Sequence, residues 1–343
     1  MKEFFMKKSL IALAVAAASG ATFAQTANVY GIADIWLGEL KASEVAANPQ
    51  GVTQLTSGGL SASRWGIQGT EDLGGGLKAN FMLETGVSLD NGASAGFSRV
   101  SYVGLSGGFG EVQFGKAWTA TDDVMGAANS GFDSGLSATN GVWIANVAYS
   151  GNPGNTIKYV SPDFGGLTVS ASYSLDEAAA TSADVYDIAL AYTTGPIAVN
   201  LAYQVQGDYA GTDSLDITTL NGSYDFGAAK LLASYAKTKV AAQDVTDYQI
   251  GVDVPVSGAL TVSLGYAKSD RNAAAEAGLV AANAGLDNGV YLGGSNTGYG
   301  VAVGYNMSKR TTLYGGFSKA TGSSAGVDVS ERQLLAVGLR HTF

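Results

Sequence analysis

The chain has 343 residues, with 48 Gly, 5 Pro, one His and no Cys; 14% of residues are charged, and 29 acidic against 19 basic side chains give a net charge of −10. Without Cys there are no disulfides, thiolate metal sites or cysteine nucleophiles, and His341 alone supplies neither an imidazole pair for a metal nor a serine triad. The acidic balance argues against a nucleic-acid binder, which needs a basic stripe.

The first 24 residues stand apart. Lys7 and Lys8 form a positive start, Leu10 to Ala18 an apolar core, and Thr22-Phe23-Ala24 a small-residue cleavage site. This pattern predicts a secretory signal peptide, residues 1–24, cleaved after Ala24, because about nine apolar residues cannot cross a hydrocarbon core of about 30 Å. Cleavage removes Lys2, Lys7, Lys8 and Glu3, so the exported body, residues 25–343, carries 16 basic and 28 acidic side chains, a net −12. No stretch of that body is apolar enough for a spanning helix.

Gly110-Glu111-Val112-Gln113-Phe114-Gly115-Lys116-Ala117 nearly spells a phosphate-binding loop, but Ala117 replaces the hydroxyl that such a loop needs. The segment alternates as a strand and leads into no helix, so no helix dipole awaits a phosphate. Further on, alternation dominates. Leu167, Val169, Ala171 and Tyr173 share one face, and Thr168, Ser170, Ser172 and Ser174 the other. Ile197-Val199-Leu201-Tyr203, Leu231-Ala233-Tyr235, Leu260-Val262-Leu264-Tyr266 and Leu313-Gly315-Phe317 repeat the pattern. Partners of opposite sense lie between them, such as Tyr186-Ile188-Leu190-Tyr192 and Tyr299-Val301-Val303-Tyr305. The closing aromatics at 173, 203, 235 and 266 are spaced by 30, 32 and 31 residues; the next, Phe317, comes 51 later, which predicts an expanded loop over about 270–296.

Period-two alternation marks strands with two unlike faces. Tight turns such as Asp163-Phe164-Gly165-Gly166, Gly195-Pro196 and Asp225-Phe226-Gly227 alternate with longer polar loops, and all five prolines (49, 153, 162, 196, 255) fall in loops, turns or strand ends. The faces are apolar with a terminal aromatic on one side, and small and polar on the other. A soluble sandwich would place Lys and Glu on its outer faces. The pattern predicts a closed transmembrane β-barrel with a wet lumen, since lipid cannot satisfy a free sheet edge.

Several segments resemble one family in order. Asn28-Val29-Tyr30-Gly31-Ile32-Ala33-Asp34 looks like its first strand, Ser63-Arg64-Trp65-Gly66-Ile67-Gln68-Gly69-Thr70-Glu71-Asp72-Leu73-Gly74 like its second strand and turn, and Arg99-Val100-Ser101-Tyr102-Val103-Gly104-Leu105 like its fourth. Lys158-Tyr159-Val160-Ser161-Pro162 resembles a later strand, and Gly338-Leu339-Arg340-His341-Thr342-Phe343 a terminal strand closed by an aromatic. These segments resemble the trimeric general-diffusion porins of Gram-negative outer membranes. The resemblance implies an all-β, sixteen-stranded antiparallel barrel with short periplasmic turns, long extracellular loops and an inward-folded third loop. It also implies a homotrimer in the outer membrane, contact with outer-membrane lipid and lipopolysaccharide, and delivery to the barrel-assembly machinery through a signal ending in Phe343. Function would be passive diffusion of small hydrophilic solutes and ions, with no enzyme activity, cofactor or metal.

Such porins filter solutes where the third loop faces a basic wall. Here that loop should run from about Thr119 to Ala148, after a fifth strand at about Gly110–Trp118. The basic candidates are Arg64, placed inward by alternation with Trp65 and Ile67; Arg99, placed inward together with Ser101 and opposite Val100 and Tyr102; and Lys158, between Ile157 and Tyr159. On the loop, Asp122, Asp123 and Asp133 are the acidic candidates, with Asn129 where the family often has another acid. No basic residue lies between Lys116 and Lys158, and Trp143-Ile144-Ala145-Asn146-Val147 stands where many relatives carry a wall arginine. A thinned basic wall predicts weak cation preference. Two other readings remain, an adhesin or structural barrel with a closed lumen and a substrate-specific channel, and conductance measurements separate them.

Overall fold

The structure, a computed structural model, describes residues 26–44, 51–177, 183–207, 213–273 and 294–343. The leader at 1–24 lies outside the described residues, as does most of the expanded loop placed at about 270–296. Seventeen strand segments follow in chain order: β1 (Thr26–Glu44), β2 (Val52–Ser57), β3 (Arg64–Gly74), β4 (Leu77–Gly86), β5 (Val100–Gly107), β6 (Gly110–Lys116), β7 (Thr156–Val160), β8 (Leu167–Ser174), β9 (Val185–Thr194), β10 (Ile197–Gln206), β11 (Leu215–Asp225), β12 (Lys230–Val240), β13 (Gln243–Pro255), β14 (Leu260–Arg271), β15 (Ser295–Asn306), β16 (Thr311–Ser324) and β17 (Val327–Thr342). The fifth strand thus ends at Lys116, two residues earlier than the sequence suggested.

The segments make a closed antiparallel barrel of sixteen staves. β2 and β3 both pair with β1, through Ile35↔Ser57 and Ile32↔Arg64, and so occupy a single place in the ring. β17 closes the ring on β1 in an unbroken register from Ile32↔Thr342 to Glu44↔Ser330. At the junction Phe343 and Gly31 exchange two backbone hydrogen bonds of 3.1 Å. The Phe343 ring covers Gly31 so closely that a Cβ there would lie 2.4 Å from it.

Alternation sorts the side chains as expected over β7–β17. Ile188, Leu190, Val199, Leu201, Val301 and Val337 point outward and are exposed, flanked by Tyr173, Tyr186, Tyr203, Tyr248, Tyr266 and Tyr299. Ring pairs bridge neighbouring strands, Tyr235–Tyr248 at 5.5 Å and Tyr266–Tyr299 at 5.7 Å. An apolar band edged by tyrosines suits hydrocarbon between two polar interfaces. The band is uneven. On β17 and β1–β5 the outward residues include Val29, Ala33, Ile35, Leu37, Trp65, Val103, Leu335 and Val337, and no tyrosine faces outward there among the described residues.

Candidate functional site

The third long connection folds into the barrel and lies against the inner wall from β9 to β16. Thr121 N donates to Asp187 Oδ2 at 2.7 Å on β9, and Asn221 Nδ2 on β11 donates to Val124 O at 2.7 Å. Gln249 on β13 takes Ser130 N at 2.7 Å and gives its amide to Ala128 O at 3.0 Å. Gly131 N reaches Ser263 Oγ on β14 at 2.7 Å, and Ser318 Oγ on β16 reaches Gly135 O at 3.1 Å. On the return leg the Trp143 indole donates to Tyr248 O and Ala145 N to Asp247 Oδ2, each at 3.0 Å. Wall side chains thus pair the loop's buried backbone groups, which would otherwise be costly.

The loop lies this close because the wall beneath it lacks side chains. A Cβ on Gly298 would sit 2.3 Å from Ala138 O, and one on Gly300 2.3 Å from Leu136 O. Beside this track the wall is apolar, not small and polar as alternation alone implied: Leu215, Ile217 and Ala236 pack with Met125, Ala138, Val142 and Trp143 in a dry cluster. Trp143 is fully buried. The segment where a wall arginine was sought is therefore an apolar anchor.

Facing the loop across the lumen, β3, β4 and the entry to β5 carry the basic pair. Arg99 Nε lies 2.8 Å and Arg64 Nε 3.4 Å from the two oxygens of Glu84, a buried carboxylate that also accepts the Tyr30 hydroxyl at 3.0 Å. The Arg99 guanidinium stacks on Trp118 at 5.0 Å from the ring centroid. Lys158, buried on the inner face of β7, is held 2.6 Å from Asp123 at the start of the loop. Asp122 accepts the Tyr149 hydroxyl at 2.8 Å, and Asn129 donates to Asp133 at 2.7 Å. Asp122 and Asp133 touch the lumen but protein fills most of their surroundings, which pushes both carboxyls up to about 6. Burial also raises Asp123, against the lowering influence of Lys158. Among the described residues no group of three or more His, Asp or Glu could hold a metal ion.

The alternation assigned around Arg99 needs correcting. Val100 and Tyr102 pair across from Glu84 and Met82, so they share the lumenal face, and Ser101 and Val103 point outward. Arg99 lies just before the ladder begins, where strand parity no longer governs it, and it reaches Glu84 by the bend at the strand entry. Sequence reasoning also missed Glu84, Asp187 and Asp247. Each stands on the lumenal face of its strand, so a carboxylate at an inward position was the available signal. Arg332 and Arg340, inward on β17, were missed likewise.

A family description of Gram-negative porins matches residues 10–325. The chain belongs to the Gram-negative porins. This porin is 35% identical to outer membrane porin protein 32 of Delftia acidovorans over 98% of its own length and 100% of the relative's. It is 28% identical to an outer membrane porin protein of Bordetella pertussis, with the same coverage. Among solved structures, an anion-selective porin from Comamonas acidovorans superposes with a TM-score of 0.77 at 28% identity, covering 93% of this chain and 100% of that one. OmpT of Vibrio cholerae, solved in a trimer form, shares the fold at a TM-score of 0.67 and 19% identity, covering 93% of this chain and 100% of that one. The protein is accordingly an outer-membrane channel and not an enzyme.

Proposed function

We propose that this porin passes ions and small hydrophilic solutes by passive diffusion and filters them, by size and charge, between the third loop and the β3–β5 wall. The observation that carries this reading is a charged loop laid across the lumen, with Asp122, Asp123 and Asp133 on its face and Arg64 and Arg99 opposite. Charges lining a narrow aqueous passage reach a permeating ion over about one Debye length, about 8 Å at physiological salt. Arg64, Arg99 and Lys158 stand against Glu84, Asp122, Asp123 and Asp133, three positive groups against four negative, and Arg340, near enough to act on Arg64, and Arg332 add positive charge to the same lumen. That near balance supports a weak preference, and the exported body's excess of acidic side chains, 28 against 16, supports its sign toward cations at neutral pH, unlike the relative named as anion-selective. The reversal potential in a KCl gradient tests it, and an anion-favouring sign at about pH 7.5 overturns it.

The tyrosine-free face from β17 to β5 supports a trimer joined there, because that face lacks the continuous tyrosine girdle that edges the lipid-facing band over β8–β15. It also carries the outward charged groups Glu39, Lys41 and Glu331, the first two paired at 3.4 Å and the last held 2.8 Å from Lys319 on the neighbouring β16. Residues 1–24 act as the export signal and Phe343 as the assembly signal in this reading. Three equal closing steps in single-channel records, and a mature protein beginning at Gln25, are the expected results.

A further inference from the structure

The second stave is broken, and the break is built into the pore. Between Ile35↔Ser57 and Ile32↔Arg64, β1 has two residues, Ala33 and Asp34, while its partner has six, Gly58 to Ser63. An excess of four residues leaves the ladder at this point. The loss of ladder pairing is compensated by one side chain. The Asp34 carboxylate, fully buried, accepts Gly59 N on Oδ1 at 3.0 Å and Leu60 N and Ser61 N on Oδ2 at 3.0 and 2.7 Å. The Tyr314 hydroxyl on β16 adds a fourth donor at 2.5 Å, while Gly58 N and Ser63 Oγ each reach Asp34 O at 2.8 Å. Successive backbone N–H groups converging on an anion make a strong cradle.

The break also meets the third loop. Gly135 N donates to Gly59 O at 3.2 Å, and Leu60 packs with Leu136, Trp36 and Tyr314 in one apolar cluster. Backbone from Gly58 to Ala62 lines a lumenal space of about 260 Å³ whose other side carries Asp133, Asn140 and Asn146. Arg64 Nη1 reaches Ala62 O at 3.4 Å, which ties the same segment to the basic wall.

We infer that Gly58–Ser63 is a second constriction element, held in the lumen by Asp34, so that the aperture is set from the wall as well as from the loop. Asp34 is a positioning residue: it touches no solute and acts through the segment it cradles. This inference rests on the diffusion-pore reading above.

The test is single-channel recording of the purified full-length protein in planar bilayers, with neutral polyethylene glycols of graded size as the sizing probe and heat-modifiable electrophoretic mobility as the check of folding. Asp34→Ala releases the segment from the lumen. Withdrawing one strand's thickness, about 4.8 Å, from an opening on the order of 10 Å raises conductance about 1.5-fold, and a larger polymer then enters. Asp34→Asn keeps one acceptor oxygen and falls between. Because Asn and Ala remove the same charge, the difference between them reports geometry, and neutral polymers are blind to charge. Gly59→Ala leaves Asp34 in place but puts a methyl 2.3 Å from the Tyr314 hydroxyl and 2.6 Å from Trp36 Cδ1, both on the wall behind the segment, so it pushes the same segment further into the lumen, lowers conductance and the polymer cut-off, and decides the matter if Asp34→Ala does not fold. A role in stability alone lowers thermal resistance and leaves the polymer cut-off unchanged. A folded Asp34→Ala variant with unchanged or reduced conductance and cut-off, or a folded Gly59→Ala variant with both unchanged or raised, overturns the inference. Wild-type protein without ohmic steps would instead overturn the pore reading itself.

Discussion

Replacing Glu84 by Gln removes the one carboxylate shared by Arg64 and Arg99 while keeping the side-chain shape and an acceptor for Tyr30. The wall cluster of two guanidiniums and one carboxylate goes from +1 to +2. A unit charge about 8 Å from a permeating ion is worth about 0.5 kcal/mol in water, and anion and cation respond oppositely, so their permeability ratio moves about fivefold. At physiological salt one Debye length of screening reduces the energy about threefold and the change in ratio to about twofold. The assay is the reversal potential under a fixed KCl gradient, recorded at low and at physiological ionic strength. The expected result is a shift toward anions, larger at low salt. A shift toward cations, or one of equal size at both ionic strengths, would refute the reasoning. Both arginine side chains keep about a quarter of their surface in the lumen (27% and 21%), so water takes over part of the lost pairing and the fold survives at a cost of about 1–3 kcal/mol.

Three further predictions follow from the loop's attachment and charge. Gly300→Val places a branched side chain where even a Cβ lies 2.3 Å from Leu136 O, so the loop is pushed into the lumen and single-channel conductance falls in protein that still folds. Acidification from about pH 7.5 to about pH 5 neutralises Asp122 and Asp133 before ordinary carboxylates, because their raised values of about 6 keep them charged only above that range; cation preference weakens or reverses, and Asp122→Asn with Asp133→Asn removes most of the pH dependence of the reversal potential. Trp143→Ala empties a fully buried site and costs about 3–5 kcal/mol, read as a lower temperature for the heat-modifiable shift.

The barrel was legible because lipid on one side and water on the other impose an alternation that local sequence must obey. Tyr186-Ile188-Leu190 and Leu167-Val169-Ala171 needed no long-range information. Alternation failed where backbone leaves the ladder. It inverted around Ser101 and Tyr102, because Arg99 stands outside the strand, and it gave no warning of the break at Gly58–Ser63, whose partner Asp34 lies 25 residues earlier than Gly59. The loop's charged residues were recognisable by resemblance and composition. Their partners were not: Asp187 and Asp247 are ordinary inward carboxylates until the loop is laid against them. Wall positions under the loop depart from alternation, since Leu215 and Ile217 put apolar groups on a face expected to be wet.

The bare track beneath the crosspiece has a consequence for how such channels change under selection. Gly298 and Gly300 admit the loop by what they lack, and a glycine codon becomes alanine or valine through a single base change. Each is therefore a one-step route to a tighter entrance, independent of the others and sparing the barrel's outer surface. A bacterium exposed to a bulky toxic compound would find resistance most readily at these positions, at the expense of nutrient uptake, and reversion would restore both.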